Sequence, residues 1–499
     1  MKKYILAIDQ GTSSTKTIIF DELGQAVAKG SVDLKTNYFD NGFVEQNPED
    51  IYQNVLDSVR KCLTDFSNQN LQLTDIVSCG ISNQRETFIL WDKNGNALAP
   101  AVVWACKRSI AICTDLIEKG QNDFIKEKTG LLLDPYFSGT KLLWLVENDA
   151  YLKEKIENGD VYFGTVDCWL LYKLTNGVHF KTDYTNASRT LLFNIHTLKW
   201  DKEILDKWGL SNLNLPQACP SSHDFGAFDL GKILNAETKH YIPITSLIGD
   251  SHAATFGEGC FEKGTAKVTL GTGSSIMMNI GNKAVLSNSG MLTTICWSTE
   301  DRVDYALEGA IVSCGSTIEW LKNELALFSN PAETEAMATS ITDNAGVYLI
   351  PAFSGLGAPH WQMSRKASIE GMTFGTTKNH IVRAALESIP YQIKDVVQAM
   401  EKDMQAALKS ISVNGGMTQN KFVIHFLADL LAIPLNKQKN PDVSALGAAY
   451  LSGLKSDVYA SIEQLAAINK AQTEQVLAQI NNQLVIDGYQ GWKDKIARG

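Results

Sequence analysis

Two stretches of the chain carry residue types that could grip a phosphate group, and they share one plan. The first is Tyr4-Ile-Leu-Ala-Ile-Asp9-Gln-Gly11-Thr12-Ser13-Ser-Thr-Lys16, continued by Thr17–Phe20. An apolar strand ends in an acid, turns through Gly11, presents hydroxyls and re-enters as a second strand. The second is Ala266-Lys-Val-Thr-Leu-Gly271-Thr272-Gly273-Ser274-Ser275, continued by Ile276–Asn279. Glycine lets backbone N–H groups approach an anion closely, and the Thr and Ser hydroxyls add donors. Asp9, at the end of its strand, is placed to hold a divalent cation, usually through water. The loop G-x-x-x-x-G-K-[ST] is absent. One such hairpin could be an ordinary sheet turn; two at corresponding places in two halves form a much stronger signal. Their tails match as well, Asp21–Gly24 with Gln25–Ala28 and Ile280–Lys283 with Ala284–Leu286.

Two further places carry chemistry. Asp250 follows an apolar run, Ile242–Ile248, and precedes a helix. From the residues alone it is either a helix cap or a proton acceptor for a substrate hydroxyl. Gly415-Gly416 ends another strand, where a base or ribose could approach a bare backbone; an ordinary strand-to-helix turn is the plainer alternative.

Composition bounds what these grips can serve. At 499 residues the chain is long enough for two large domains. Hydrophobic content of 44% and charged content of 20% are those of a soluble globular protein. A net charge of −10 argues against general nucleic-acid binding. No apolar run reaches the length of a membrane span or of a secretory leader. Nine scattered cysteines without a Cys-x-x-Cys pair suggest free thiols in a reducing cytoplasm. The eight histidines show no metal-ligand spacing.

The elements that position the grips alternate between strand and helix, which points to α/β layering. Asn47-Pro48-Glu49-Asp50 opens a helix with a cap, Pro in the first turn and acids behind it. Ile76–Ser82 reads as a buried strand emptying into Asn83-Gln84-Arg85-Glu86. Thr87–Trp91 and Val102–Trp104 read as short strands, with a helix from about Arg108. Pro216 to Lys239 reads as loop. The junction between halves falls after the helix at Ala253–Phe256, giving domains 1–258 and 259–499. In the second half, Ala306–Ile311 is a strand and a helix starts near Gly315. Thr377–Lys402 is a long helix that Pro390 should kink. Ile411–Val413 is a strand, and helices follow from Asn420 and over Ser444–Gly453.

The chain resembles the FGGY carbohydrate kinases over essentially its whole length, and within them most closely the glycerol-phosphorylating members. The most specific pieces are Asp9-Gln-Gly-Thr12, Asn83-Gln-Arg-Glu86, Asp134-Pro-Tyr-Phe-Ser-Gly-Thr-Lys141, Asp183-Tyr-Thr-Asn-Ala-Ser-Arg-Thr190 and Ala445-Leu-Gly-Ala-Ala-Tyr450. Tyr136-x-Ser138-x-x-Lys141-Leu142-x-Trp144 fits the family signature. The resemblance implies two actin-like (ribonuclease H-like) domains around a cleft, with ATP mainly on the second and a polyol mainly on the first. It implies ATP and Mg2+ as cosubstrate and cofactor, a small polyol or sugar as substrate, and a dimer or tetramer. Phosphoryl transfer to an alcohol needs positioning, charge neutralisation and a proton acceptor. By resemblance Asp250 is that acceptor and Asp9 the metal-side acid. Thr12, Ser13 and Lys16 would face the phosphates from one side, Gly271 and Thr272 from the other. Gly315, Glu319, Gly415, Gly416 and Asn420 would line the adenosine. Arg85 and Glu86 would grip vicinal hydroxyls, with Trp104 and Tyr136 packed against the carbon chain.

Three positions depart from the glycerol-phosphorylating pattern. Lys16 stands where Arg is common and loses the guanidinium fork. Ser251 stands where Gln follows the catalytic acid, and Ser275 replaces an aromatic that closes the pocket. The first expectation is therefore glycerol as substrate, and the alternative is a four- or five-carbon polyol or ketose. An actin-like nucleotide-binding protein without catalysis would need none of Asp250, Arg85, Glu86 or the aromatic walls. The bisphosphate-binding and phosphohistidine loops that regulate some relatives are not recognisable in Phe225–Tyr241.

Overall fold

Ile5, Leu6, Ala7 and Ile8 are all fully buried, which is the pattern of a strand covered on both faces. In the computed structural model, which describes residues 2–235 and 237–498, their strand Tyr4–Gln10 lies inside a six-stranded sheet. Tyr4–Gln10, Ser14–Phe20 and Ala26–Asp33 form an antiparallel meander on one side. Ile76–Asn83 and then Tyr241–Gly249 run parallel to the first strand on the other, and Ala227–Asp229 closes that edge. A smaller sheet, which includes Phe88–Trp91 and Ala101–Val102, carries the chain that leads to Trp104.

The second half builds a similar seven-stranded sheet. Thr265–Leu270 pairs antiparallel with Ser274–Gly281 and parallel with Ser410–Asn414, which is followed by Leu435–Gln438. The two-domain α/β architecture expected from the repeated hairpins is therefore present. Beyond the hairpin the repeat is imperfect. Ala284–Leu286 forms no strand. The third place in this sheet, held in the first half by Ala26–Asp33, is filled by Val303–Ile311, with Leu292–Ser298 outside it. The reason is connectivity: the chain leaves the hairpin at Gly281, crosses to the outer position and returns. Other boundaries move too. Pro216 to Lys239 contains the strands Gln217–Cys219 and Ala227–Asp229 and the helix Leu230–Leu234, residue 236 lying outside the described residues. The helix expected from Arg108 begins at Ile110, because Arg108 is drawn inward to pair with Glu45 at 2.5 Å. The strand expected at Val102–Trp104 stops at Val102. Lys378–Met404 runs as one helix through Pro390.

Two helices join the halves. Asp250–Gly257 follows the first sheet, whereas Val443–Lys455 comes late in the sequence yet packs on the first sheet against Ile76–Asn83. They cross at backbone contact. A β-carbon on Gly447 would lie 1.8 Å from the carbonyl of Ala253, and one on Gly257 would lie 2.2 Å from that of Val443. One apolar cluster accordingly mixes both halves, joining Ile5, Ile18 and Phe20 to Met277, Trp297 and Ala445. At the end of the first helix the buried Glu258 accepts from Asn414 Nδ2 at 2.7 Å, fastening that helix to the strand before Gly415.

Two outcomes follow from this junction. Gly447→Ala forces the helices apart and lowers stability by about 1–3 kcal/mol, the usual cost of over-packing, read as a lower thermal midpoint. Burial pushes the Glu258 carboxyl from its ordinary 4.5 up to about 7, so the folded chain keeps a proton that the unfolded chain releases. That stabilisation is full below about pH 4.5 and is lost as pH rises through about 7. Glu258→Gln removes the titration while leaving an acceptor for Asn414. Its thermal midpoint therefore falls less than that of the wild type between pH 5 and pH 8; equal slopes would refute the assignment.

Candidate active site

The parallel strands end side by side, and the register sets what they present. Asp9 lies opposite Ser82, and Gly249 opposite Asn83. The turn after Asn83 then delivers Arg85 and Glu86, and the helix after Gly249 delivers Asp250. Gly249 is needed here, since a β-carbon would sit 2.7 Å from Arg85 Cγ. Glu86 takes a left-handed backbone, φ 58°, which turns it under the sheet end. Asp250 is the first residue of its helix and Gly249 is the cap, which removes the capping alternative. Its Oδ1 accepts from the backbone N–H of Ser251 at 2.5 Å and lies 3.3 Å from Arg85 Nε. Asp9 accepts from Ser82 Oγ at 3.0 Å. Burial, and next the charge of Asp250, push the Asp9 carboxyl up to about 6.

Below these acids runs a buried ladder of alternating charge. Arg189 Nε donates to Glu86 Oε1 at 2.6 Å, Arg189 Nη1 lies 2.6 Å from Glu308 Oε2, and Glu308 Oε1 accepts from Arg85 Nη1 at 2.9 Å. Burial opposes the charge of Glu308, but Arg189 and Arg85 outweigh it and hold its carboxyl well below the usual range. Both guanidiniums are held charged against burial, first by Glu308 and then by Glu86. His252, fully buried nearby, is kept neutral by burial and by the two arginines.

The aromatic walls are held by polar anchors. Trp104 and Tyr136 meet edge to face with ring centres 5.7 Å apart. Trp104 Nε1 donates to Thr12 Oγ1 at 2.9 Å. Buried Lys141 donates to the carbonyls of Tyr136 at 2.7 Å and Trp104 at 3.2 Å, and burial brings its pKa down to about 7. Beside these walls opens a cavity of about 630 Å³ lined by Arg85, Trp104, Tyr136, Arg189, Ser251 and Glu308 on one side. Lys267, Thr269, Ser274 and Ser275 of the second hairpin face it from the other domain.

The second grip is a close cluster. The amides of Cys314 and Ser316 donate to the carbonyl of Thr272, and that of Gly315 to the carbonyl of Gly271 at 2.9 Å. A β-carbon on Gly415 would lie 2.4 Å from the carbonyl of Leu270, whereas one on Gly416 would meet nothing within 4 Å. Gly271, Thr272, Gly315 and Gly415 are thus brought together, with Gly416 bordering open space.

Several expected contacts are engaged elsewhere. Lys16 pairs with Asp442 at 3.1 Å instead of standing free for a phosphate. The Thr12 hydroxyl is taken by Trp104 and by Gln84, and Ser13 sits exposed in the turn. Asn420 caps its helix by accepting from the N–H of Val423 and also donates to Thr334. Glu319 lies 3.6 Å from Lys322 with 53% of its side chain exposed. Conversely, the site includes Arg189, Glu308, Lys141 and Lys267, which are not among the residues expected from sequence. Arg189 and Lys141 lie inside the family-like motifs, and Glu308 and Lys267 are charges set among buried residues of their strands, which is a signal in the sequence.

Comparison with known proteins identifies the family of the whole chain. The N-terminal domain of the FGGY family of carbohydrate kinases matches residues 4–257, and its C-terminal domain matches residues 266–455. The chain is 44% identical over 497 residues to glycerol kinase 2 of Thermotoga maritima, covering 99% of this chain and 98% of that one. It is 44% identical over 503 residues to glycerol kinase of Halothermothrix orenii, covering 99% and 98%. The structure of Plasmodium falciparum glycerol kinase with ADP superposes with a TM-score of 0.94 at 34% identity, covering 100% of this chain and 98% of that one.

Glu308→Gln leaves two buried guanidiniums with too little negative charge. Breaking a buried pair in this way costs about 3–5 kcal/mol, seen as a lower denaturation midpoint. A loss below 1 kcal/mol would mean that the ladder is solvated.

Proposed function

The chain belongs to the FGGY family of carbohydrate kinases, and on that footing we propose that it moves the γ-phosphoryl group of ATP to a terminal hydroxyl of glycerol. The observation that carries this reading is the placement of Asp250 beside Arg85 at the sheet end, next to the cavity walled by Trp104 and Tyr136. Asp250 accepts the proton of the terminal hydroxyl as its oxygen bonds to the γ-phosphorus, and the bond from that phosphorus to the β-phosphate bridge breaks to release ADP. Arg85 donates to an adjacent hydroxyl. Glu86, whose Oε1 is held by Arg189, accepts from one through Oε2. The faces of Trp104 and Tyr136 pack on the C–H side of the carbon chain, and the hydroxyls of Ser251 and Ser275 line the remaining space.

ATP lies across the cleft, with its phosphates on the backbone of Gly271 and Thr272 and its adenosine over Gly315, Gly415 and Gly416. This gives residues 1–258 the acceptor and the base, and residues 259–499 the nucleotide. Thr12 and Ser13 serve this site as the first grip's turn, and Lys16 reaches a phosphate by exchanging its ion pair with Asp442. Glu319 and Asn420 act at the rim of the nucleotide site. The donor set at Asp9 suits Mg2+, because its carboxyl, pushed up to about 6 by burial and next by the charge of Asp250, would be relieved by a divalent cation. Asp9 would hold that ion, which would supply positive charge to offset the charge on the transferring group. No helix among the described residues is long and apolar enough to cross a membrane. Nine free, buried cysteines support work in the reducing cytoplasm, and assembly as a dimer or tetramer is part of the same proposal.

ADP release with ATP and glycerol tests the reading. Turnover depends on glycerol, and Asp250→Asn lowers kcat by about 10²–10⁴, the range of a general base. Loss of less than tenfold would remove Asp250 from that role.

A further inference from the structure

We infer that the acceptor cavity takes linear polyols or ketoses of four or five carbons as well as glycerol, and that the row Lys267, Thr269 and Ser275 receives their far hydroxyls. This rests on the reading that phosphoryl transfer occurs at Asp250.

The cavity's size is the first observation. At about 630 Å³ it falls within the range of pockets for ligands much larger than a triol. A three-carbon chain clamped by Arg85 and Glu86 occupies the end next to Asp250. The space then continues to the second domain, where Leu292 and Trp361 bound it.

The second observation is the chemistry of that far wall. Lys267 and Thr269 alternate onto one face of their strand, and Thr269 stands opposite Ser275 in the hairpin register. The hydroxyls of Ser274 and Ser275 are buried without a hydrogen-bond partner. Lys267 is 1% exposed, and its three donors have one hydrogen-bond acceptor, Thr269 Oγ1 at 2.8 Å. Buried donors left unpaired are costly, so a wall with this many open positions is built to meet a ligand's oxygens. Burial lowers the Lys267 pKa, with Arg85 adding to that and Glu258, Asp250 and Glu308 opposing it, so this wall suits neutral hydroxyls rather than an anion. A carbon chain bearing hydroxyls, with its terminal diol at Arg85, fits both ends at once.

Hydrophobic pockets discriminate a single methylene by only about 10–200-fold, whereas sites that hydrogen-bond a hydroxyl discriminate far more. Ser275→Phe, which fills the far end, and Ser275→Leu, a smaller filler, therefore separate the two ends. The measurement is kcat/KM for ATP-dependent phosphorylation of glycerol, erythritol, threitol, erythrulose, xylulose and ribulose. In the wild type at least one four- or five-carbon compound comes within tenfold of glycerol. In both variants the ratio of that compound to glycerol falls at least tenfold. If all longer compounds stay below one-tenth of glycerol in the wild type, the inference fails while the kinase reading stands. An unchanged ratio in either variant removes Ser275 from the far wall. If no compound in the panel, glycerol included, is phosphorylated, the kinase reading itself fails.

Discussion

Glu308 is the residue on which the geometry of the site depends. It projects from a strand of the second sheet into the first domain, where its two carboxylate oxygens lie 2.9 Å from Arg85 and 2.6 Å from Arg189. Charges taken this far from water are tolerable only when paired and hydrogen-bonded. The requirement runs both ways. The arginines fix where Glu308 must sit, and through it how the second domain meets the first. Arg85 then sets Asp250, Arg189 sets Glu86, and the Arg189 guanidinium stacks on Phe137 at 5.2 Å beside the aromatic wall. A ladder with one more positive rung than its carboxylates could satisfy would not stay buried, so the alternation of sign is itself part of the architecture.

The helix crossing supplies the rigidity that this pairing needs. Ion pairs are sharp in distance, and two domains joined only by a flexible link could not keep a 2.9 Å contact. At Gly447 and Gly257 the backbones touch, which leaves the joining helices little room to slide. Asp250 opens one of these helices, so the acid inherits that rigidity. The nucleotide-side glycines inherit it as well through Glu258 and Asn414. Both ligand-facing clusters thus lie at the carboxyl ends of parallel strands, where a crevice opens between connections, as in open α/β sheets generally.

What was legible in the sequence is what local pattern encodes. Strands buried on both faces, glycine turns and the acids that end them could all be placed within a few residues, because each depends on neighbours in the chain. The position of Asp250 was legible for that reason, and its cap-or-base ambiguity was not, because only its distance to Arg85 and the cap at Gly249 resolve it. Lys16 illustrates the converse. Its place in the first grip suggests a phosphate contact, yet its partner is Asp442, 426 positions away, at the N-cap of the helix that packs across the two halves. Arg189 and Glu308 are not legible in the sequence as site residues, because each makes sense only in the presence of the other and of Arg85. A lone Glu between Leu307 and Gly309 in a buried strand is nonetheless a physical anomaly. Such an anomaly should be read as a demand for a distant cation.

The same layout explains how acceptor size can vary without touching the chemistry. The proton acceptor, the diol clamp and the ladder occupy the first domain's strand ends, apart from Glu308. The far wall is the second hairpin, and it differs in kind. Its cleft-facing residues alternate along a strand, and each is backed by the fully buried Val268, Leu270 and Ile276 of the opposite face. A substitution on the cleft face of such a strand changes volume and polarity locally, since its neighbours on that face are two residues away and its backbone is fixed by the sheet. A change at Arg85 or Glu308 would propagate through four charges, whereas Ser275 has no side-chain partner to lose. The duplicated hairpin therefore does unequal work in its two copies. The first has its hydroxyl and lysine tied into the fold by Trp104 and Asp442, and the second keeps its serines free toward the cavity.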